Sequence, residues 1–187
     1  MTFKEKIYHQ HDVVCNQKYA NVHPYSFHLE CVLAQGRKFQ HLIENELVVN
    51  PNNYKSVSTT TWKIVELILS SHDVCEDGRL TYNDLLDLVG EDLGNFVAAK
   101  IVADAVYCVT DEKGKTRAER KNESYYLELY ENHLAIFVKL ADIAANTLYS
   151  KLTGSPMYEK YKAEFPSFKK KVYLDKYEEF FDYVANL

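Results

Sequence analysis

The chain has 187 residues, of which 47% are hydrophobic, enough for one domain with a core of its own. Its 22 basic and 27 acidic residues leave a net charge of −5, which argues against general nucleic-acid binding. It still allows a phosphorylated ligand held locally by a metal and a few Lys or Arg side chains. Six glycines and four prolines are few breakers for this length, so an all-α fold is expected.

In chain order, a first helix is predicted over Phe3 to Cys15. A turn at Asn21-Val22-His23-Pro24 leads into a helix from Tyr25-Ser26 to about Glu46, since Pro24 and Ser26 both suit a helix start. Leu29, Val32, Leu33 and Phe39 supply its apolar face. Asn50-Pro51-Asn52-Asn53 reads as a loop. The next helix begins at Thr60 or Thr61, carries Ile64, Leu67 and Ile68 at helical spacing, and reaches His72-Asp73. Gly78 marks a break. Thr81-Tyr82-Asn83-Asp84 has the form of a capping box, and helices follow over 81–89 and 92–109.

Asp111 to Lys115 forms a charged loop, and a short helix is placed near Arg117. A long helix runs from Ser124 to Tyr149. Two more, over 156–164 and 173–186, are separated by Pro166. No repeat or linker interrupts the chain, so one domain over 1–187 is expected. The fifteen tyrosines suit the edge of the core, having an apolar body and a polar tip. Cys15, Cys31, Cys75 and Cys108 form no C-x-x-C pair and read as reduced, mostly buried thiols of a cytoplasmic protein. No apolar leader or membrane-length run is visible, so no membrane association is expected.

The chemistry concentrates in His72-Asp73, followed by Glu76-Asp77. A neighbouring His and Asp offer one nitrogen and one oxygen, a mixed set that suits Mn²⁺, Fe²⁺ or Zn²⁺ better than Ca²⁺. On a helix, Asp73, Glu76 and Asp77 would share a face, an arrangement that is costly unless a cation lies beside it. One carboxylate would bind the ion and the others would orient or deprotonate a water. Downstream, Asp142 interrupts the apolar run of Val138-Lys139-Leu140-Ala141-Asp142-Ile143, and a buried carboxylate needs a partner. It reads either as a metal ligand or as a hydrogen-bonded core residue. Asn146 follows one turn later on the same face. His9, His11, His23, His41 and His133 lack ligand spacing, and His9 and His11 read as surface residues. Cys75, beside carboxylates, is not expected to be a nucleophile. Lys169-Lys170-Lys171 reads as a solvated face, and Tyr158 and Tyr161 could line a pocket, though core packing is the simpler reading.

The order P-Y-x-x-H (Pro24 to His28), H-D-x-x-E-D (His72 to Asp77) and V-K-L-A-D-x-x-x-N (Val138 to Asn146) resembles the hydrolase domain of the RelA/SpoT family, within the HD superfamily. In size the chain is similar to the stand-alone small alarmone hydrolases. Val109-Thr110-Asp111-Glu112-Lys113 and Glu119-Arg120-Lys121 look like that family's V-T-D/K and E-R-K elements, and the likeness spans about 8–150. It implies a multi-helix HD domain with a central metal site. His28, His72, Asp73 and Asp142 would be the ligands of a divalent metal, usually Mn²⁺. Glu76 and Asp77 would activate or position water, and Asn146 would contact the nucleotide. Arg117, Arg120 and Lys121 would hold phosphates.

The implied reaction is removal of the 3′-pyrophosphate from ppGpp or pppGpp. No synthetase region is expected. One stretch departs from the family, which has G-Q-x-R-K before the P-Y motif with its Arg packed on guanine. Here Gln17 fits, Lys18 is one place off, and Tyr19 stands at the Arg position, able to stack on a base without adding charge. The segment between His28 and His72 is also longer than in the family. Two rival readings are a phosphatase acting on another nucleotide such as NADPH, and a non-catalytic nucleotide sensor.

Overall fold

A computed structural model describes residues 1–43, 61–111, 119 and 121–187. Nine α-helices form among them: α1 Phe3–His9, α2 Tyr25–Lys38, α3 Thr61–Ser71, α4 Tyr82–Leu93, α5 Phe96–Val109, α6 Glu123–Glu131, α7 His133–Thr153, α8 Met157–Val172 and α9 Glu178–Ala185. The all-α expectation holds. No described helix is long and apolar enough to cross a membrane. All four cysteines are free thiols, and each is half-buried.

Local chemistry sets the helix ends. Thr2 and Thr81 each close a capping box, with Glu5 and Asp84 respectively. Asn95, Asn122 and Asn132 cap the helices that follow them by accepting a backbone N–H. α2 has no cap of its own. Its Ser26 N–H donates to Asp12 Oδ1 at 3.0 Å, so the preceding segment caps it.

Several expected boundaries move. α1 gives way at Gln10 to a widened π-type turn through Val14, which turns His11 fully inward, so His11 is not a surface residue. A short antiparallel hairpin, Lys18–Tyr19 against His23–Pro24, fills the stretch before α2. α2 stops at Lys38, short of Glu46, and a 3₁₀ turn follows at Gln40–Leu42. α4 runs on to Leu93, where Gly94 ends it in the left-handed region. The long helix expected from Ser124 to Tyr149 is two helices, because Asn132 adopts an extended backbone between them. Pro166 lies inside α8 instead of breaking it. Its missing donor falls on the exposed side, while Phe165, Phe168 and Val172 anchor the other side in the core. The last segment opens with a 3₁₀ turn at Asp175–Tyr177 before α9. The loop at Asn50–Asn53, Thr60 and the helix start near Arg117 lie outside the described residues.

α7 is the central element. Ile136, Phe137, Val138, Leu140, Ala141 and Ala144 are all fully buried, so the helix is apolar nearly all round. It packs against α2, α3, α5, α6, α8 and α9. α2 and α3 approach closely at Gly36, where a Cβ would lie 2.5 Å from Leu69 Cδ1. This contact brings the helix carrying His28 against the one that ends just before His72.

Candidate metal centre

α2 presents His28 one turn in from its start, on the same side as Tyr25. α3 ends at Ser71, and the hydroxyls of Ser70 and Ser71 donate back to the carbonyls of Glu66 and Leu67. His72 to Asp77 therefore lie on a hydrogen-bonded turn and not on a helix as expected. Val74 N donates to Ser71 O at 2.9 Å and Asp77 N to Asp73 O at 2.8 Å, which holds the turn. Gly78 closes it against the backbone of Val74, whose carbonyl oxygen would be 2.8 Å from a Cβ at that position. Asp73, Glu76 and Asp77 still face one cavity. α7 contributes Asp142 and Asn146, one turn apart.

These segments converge. His28 Nε2 is 3.5 Å from Asp73 Oδ2 and 3.3 Å from Asp142 Oδ1. His72 Nε2 is 2.9 Å from Asp73 Oδ2 and 3.8 Å from Asp142 Oδ1. His72 Nδ1 lies 3.0 Å from Leu69 O, a group that can only accept, so Nδ1 carries the proton. Nε2 is buried and makes no hydrogen bond of good geometry, although Asp73 Oδ2 lies 2.9 Å away. Donor atoms of His28, His72 and Asp73 all lie within 4.8 Å of one another. Two imidazole nitrogens and two carboxylate oxygens, one nitrogen orphaned, fit a divalent ion of the Mn²⁺, Fe²⁺ or Zn²⁺ type.

These groups also shift one another's protonation. Burial disfavours the charged form of His28, yet its hydrogen bonds with Asp142 and Asp73 outweigh this and raise it to about 9. Burial pushes Asp73 up, but the neighbouring His72 and His28 hold it well below the ordinary carboxylate range. Asp142 is also depressed: Lys139 and His28 overcome its burial. Lys139 Nζ is 3.1 Å from Asp142 Oδ2.

Asn146 Nδ2 donates to Asp142 Oδ1 at 2.5 Å, and Tyr19 OH donates to Asn146 Oδ1 at 2.9 Å. The ring of Tyr19 stacks on His28 with centroids 4.7 Å apart. Tyr19 and Asn146 are thus bonded to the His28–Asp142 side of the cluster. Glu76 is raised to about 8 by burial, then by its hydrogen bond with Asp111 and the charge of that group. Its Oε2 also lies 3.4 Å from Asp111 N.

The cavity above these groups has a volume of about 660 Å³. Tyr126, Tyr161, Phe165 and Phe168 form an aromatic wall, and Lys121 and Lys139 are the basic residues in the described lining. Tyr161 is therefore a cavity residue, while Tyr158 bonds to the carbonyl of Leu187. Of the expected substrate contacts, Asn146, Tyr19 and Lys121 line the cavity. Lys18 does not; it is exposed on the hairpin. Arg117 and Arg120 fall outside the described residues.

Three site residues were not assigned from the sequence. Tyr25 precedes His28 by three residues and Lys139 precedes Asp142 by three, so helical spacing could have found both. Asp111 stands in the V-T-D segment noted above, but its meeting with Glu76 is set by the fold. Comparison of the chain with family models, with curated proteins and with solved structures found no match.

Proposed function

We propose that the chain is a metal-dependent phosphohydrolase of the HD type, acting on a nucleotide, with ppGpp as the first substrate to test. One observation carries the reading: His28, His72, Asp73 and Asp142 come from three separate segments, each histidine Nε2 lies within 3.8 Å of both carboxylates, and His28, Asp73 and Asp142 line one cavity. When bound, a divalent ion supplies Lewis acidity toward a phosphoryl oxygen and acidifies water. The side chains around it have complementary tasks. Asp77 and Glu76, both in the cavity lining, are placed to orient or deprotonate water. Lys139 and Lys121 balance phosphate charge in a lining otherwise rich in carboxylates. The aromatic wall offers a face to a base.

The choice among nucleotides is open at Tyr19. Its ring lies on His28 and its hydroxyl on Asn146, so it does not replace a free cationic side chain stacked on guanine. This favours including NADPH and other nucleoside phosphates in the same assay. The test is release of phosphate and pyrophosphate from the panel, with and without Mn²⁺, by wild type, Glu76→Ala and His72→Ala. Mn²⁺-dependent release from one nucleotide, lost in both variants, is the expected result. A wild type that binds no Mn²⁺ and releases nothing would refute the reading. Metal binding without turnover on any nucleotide would favour a sensor.

A further inference from the structure

Tyr25 contributes no ligand atom, yet its hydroxyl stands where two functional carboxylates meet. It donates to Asp73 Oδ2 at 2.6 Å and lies 3.2 Å from Asp77 Oδ2. The Asp73 oxygen it contacts is the one that faces both histidine nitrogens. A phenol has a single proton, so one donor links a metal ligand to an acid beside it.

The ring that carries this hydroxyl is held on several sides. It stacks on His11 with centroids 4.7 Å apart and planes at 16°. It meets His28 edge-on at 5.4 Å and Tyr19 at 6.5 Å. His11 is itself fully buried, and its Nδ1 lies 2.7 Å from Gln17 Oε1. The π-type turn after α1 is what brings His11 inward. A column thus runs from Gln17 through His11 and Tyr25 to the two carboxylates, and it fixes the hydroxyl in direction as well as position.

We propose that Tyr25 is a positioning residue that ties the ligand Asp73 to Asp77, setting the metal affinity of the first and the placement of the second. The inference rests on the metal-site reading above. Outer partners of metal ligands commonly change affinity or activity by about 10–100-fold when removed.

Tyr25→Phe keeps the ring and its stack on His11 and deletes only the hydroxyl. The experiment is calorimetric titration of the metal-free full chain with Mn²⁺, followed by kinetics at saturating Mn²⁺ on whichever nucleotide the panel identifies. The expected result is an Mn²⁺ affinity lower by about 10-fold or more, then a reduced kcat with KM unchanged. The double variant Tyr25→Phe/Asp77→Asn is expected to lose less kcat than the two single losses combined, because the residues act as one unit.

Wild-type affinity and kcat in Tyr25→Phe would overturn the proposal, and so would strict additivity in the double variant. Should Tyr25→Phe fail to fold, Gln17→Ala loosens the column from its far end. A drop in Mn²⁺ affinity there supports the proposal, and an unchanged affinity overturns it. A wild type that binds no Mn²⁺ would instead remove the metal-site reading itself.

Discussion

At the scale of single residues, the centre couples protons to stability. In the metal-free protein Glu76 keeps its proton up to about 8, against an ordinary 4.5. His28 keeps its proton up to about 9, against an ordinary 6.5. Between those ordinary values and the raised ones, the folded state binds more protons than the unfolded, so stability falls as pH rises. Asp73 and Asp142 are depressed below 3.8 and act only in acid. His11 is lowered from 6.5 by burial and is neutral in both states above that value. The melting temperature of chelator-treated protein is therefore expected to fall from pH 6.5 to 9, with Glu76→Gln flattening the part below about 8. A profile that rises over this range would contradict the arrangement. Two of the candidate ligand segments were legible because they carry a chemical oddity, whereas His28 was reached only through the P-Y-x-x-H resemblance. His72-Asp73 is followed by further acids, and Asp142 sits within an apolar run. Tyr25 and Lys139 look like ordinary amphipathic side chains in a sequence, marked only by standing in the P-Y-x-x-H and V-K-L-A-D patterns, three residues before a candidate ligand.

Elements position these residues through close packing, and Gly36 is the tightest point. A Cβ there would fall 2.5 Å from Leu69 Cδ1, on a side chain that is itself fully buried. Overpacking of this kind costs about 1–3 kcal/mol. Replacing glycine within a helix returns about 1 kcal/mol of propensity. Gly36→Ala is thus expected to lower stability by at most about 2 kcal/mol in denaturant unfolding. If the proposed site holds Mn²⁺, the change should also weaken its binding, since α2 and α3 lead to separate candidate ligands. Equal or greater stability would show that Leu69 can turn aside.

Helix identity was readable from caps and apolar spacing, as at Thr81 and along Ile64, Leu67 and Ile68. Boundaries were read less well, for identifiable reasons. Asn132 can continue a helix or cap one, and the packing of α6 beside α7 decides. Pro166 is accommodated within α8 on the exposed side, where the carbonyl it leaves unpaired can meet water. The turn after His9 and the two-residue hairpin depend on contacts with distant residues, such as Gln10 donating to Gly78 O at 2.8 Å.

For the whole molecule, the centre joins α2, the turn after α3 and the buried helix α7. An ion that binds the folded form alone adds about 2.7 kcal/mol of stability at a hundred times its dissociation constant. For a domain of this size that corresponds to a rise of roughly 5–10 °C in melting temperature. Thermal melts with Mn²⁺ and with chelator should show this rise in wild type and none in His72→Ala. An equal rise in the variant would place the ion elsewhere.

The donors lie far apart along the chain, with most of the fold between His28 and Asp142. An ion held by them acts as a stitch across the chain, in the manner of a crosslink. If an ion binds there, withdrawing it would loosen three segments at once and open the backbone around them to proteases. Metal scarcity would then shorten the half-life of the protein as well as idle its chemistry, so its abundance would follow the supply of the ion.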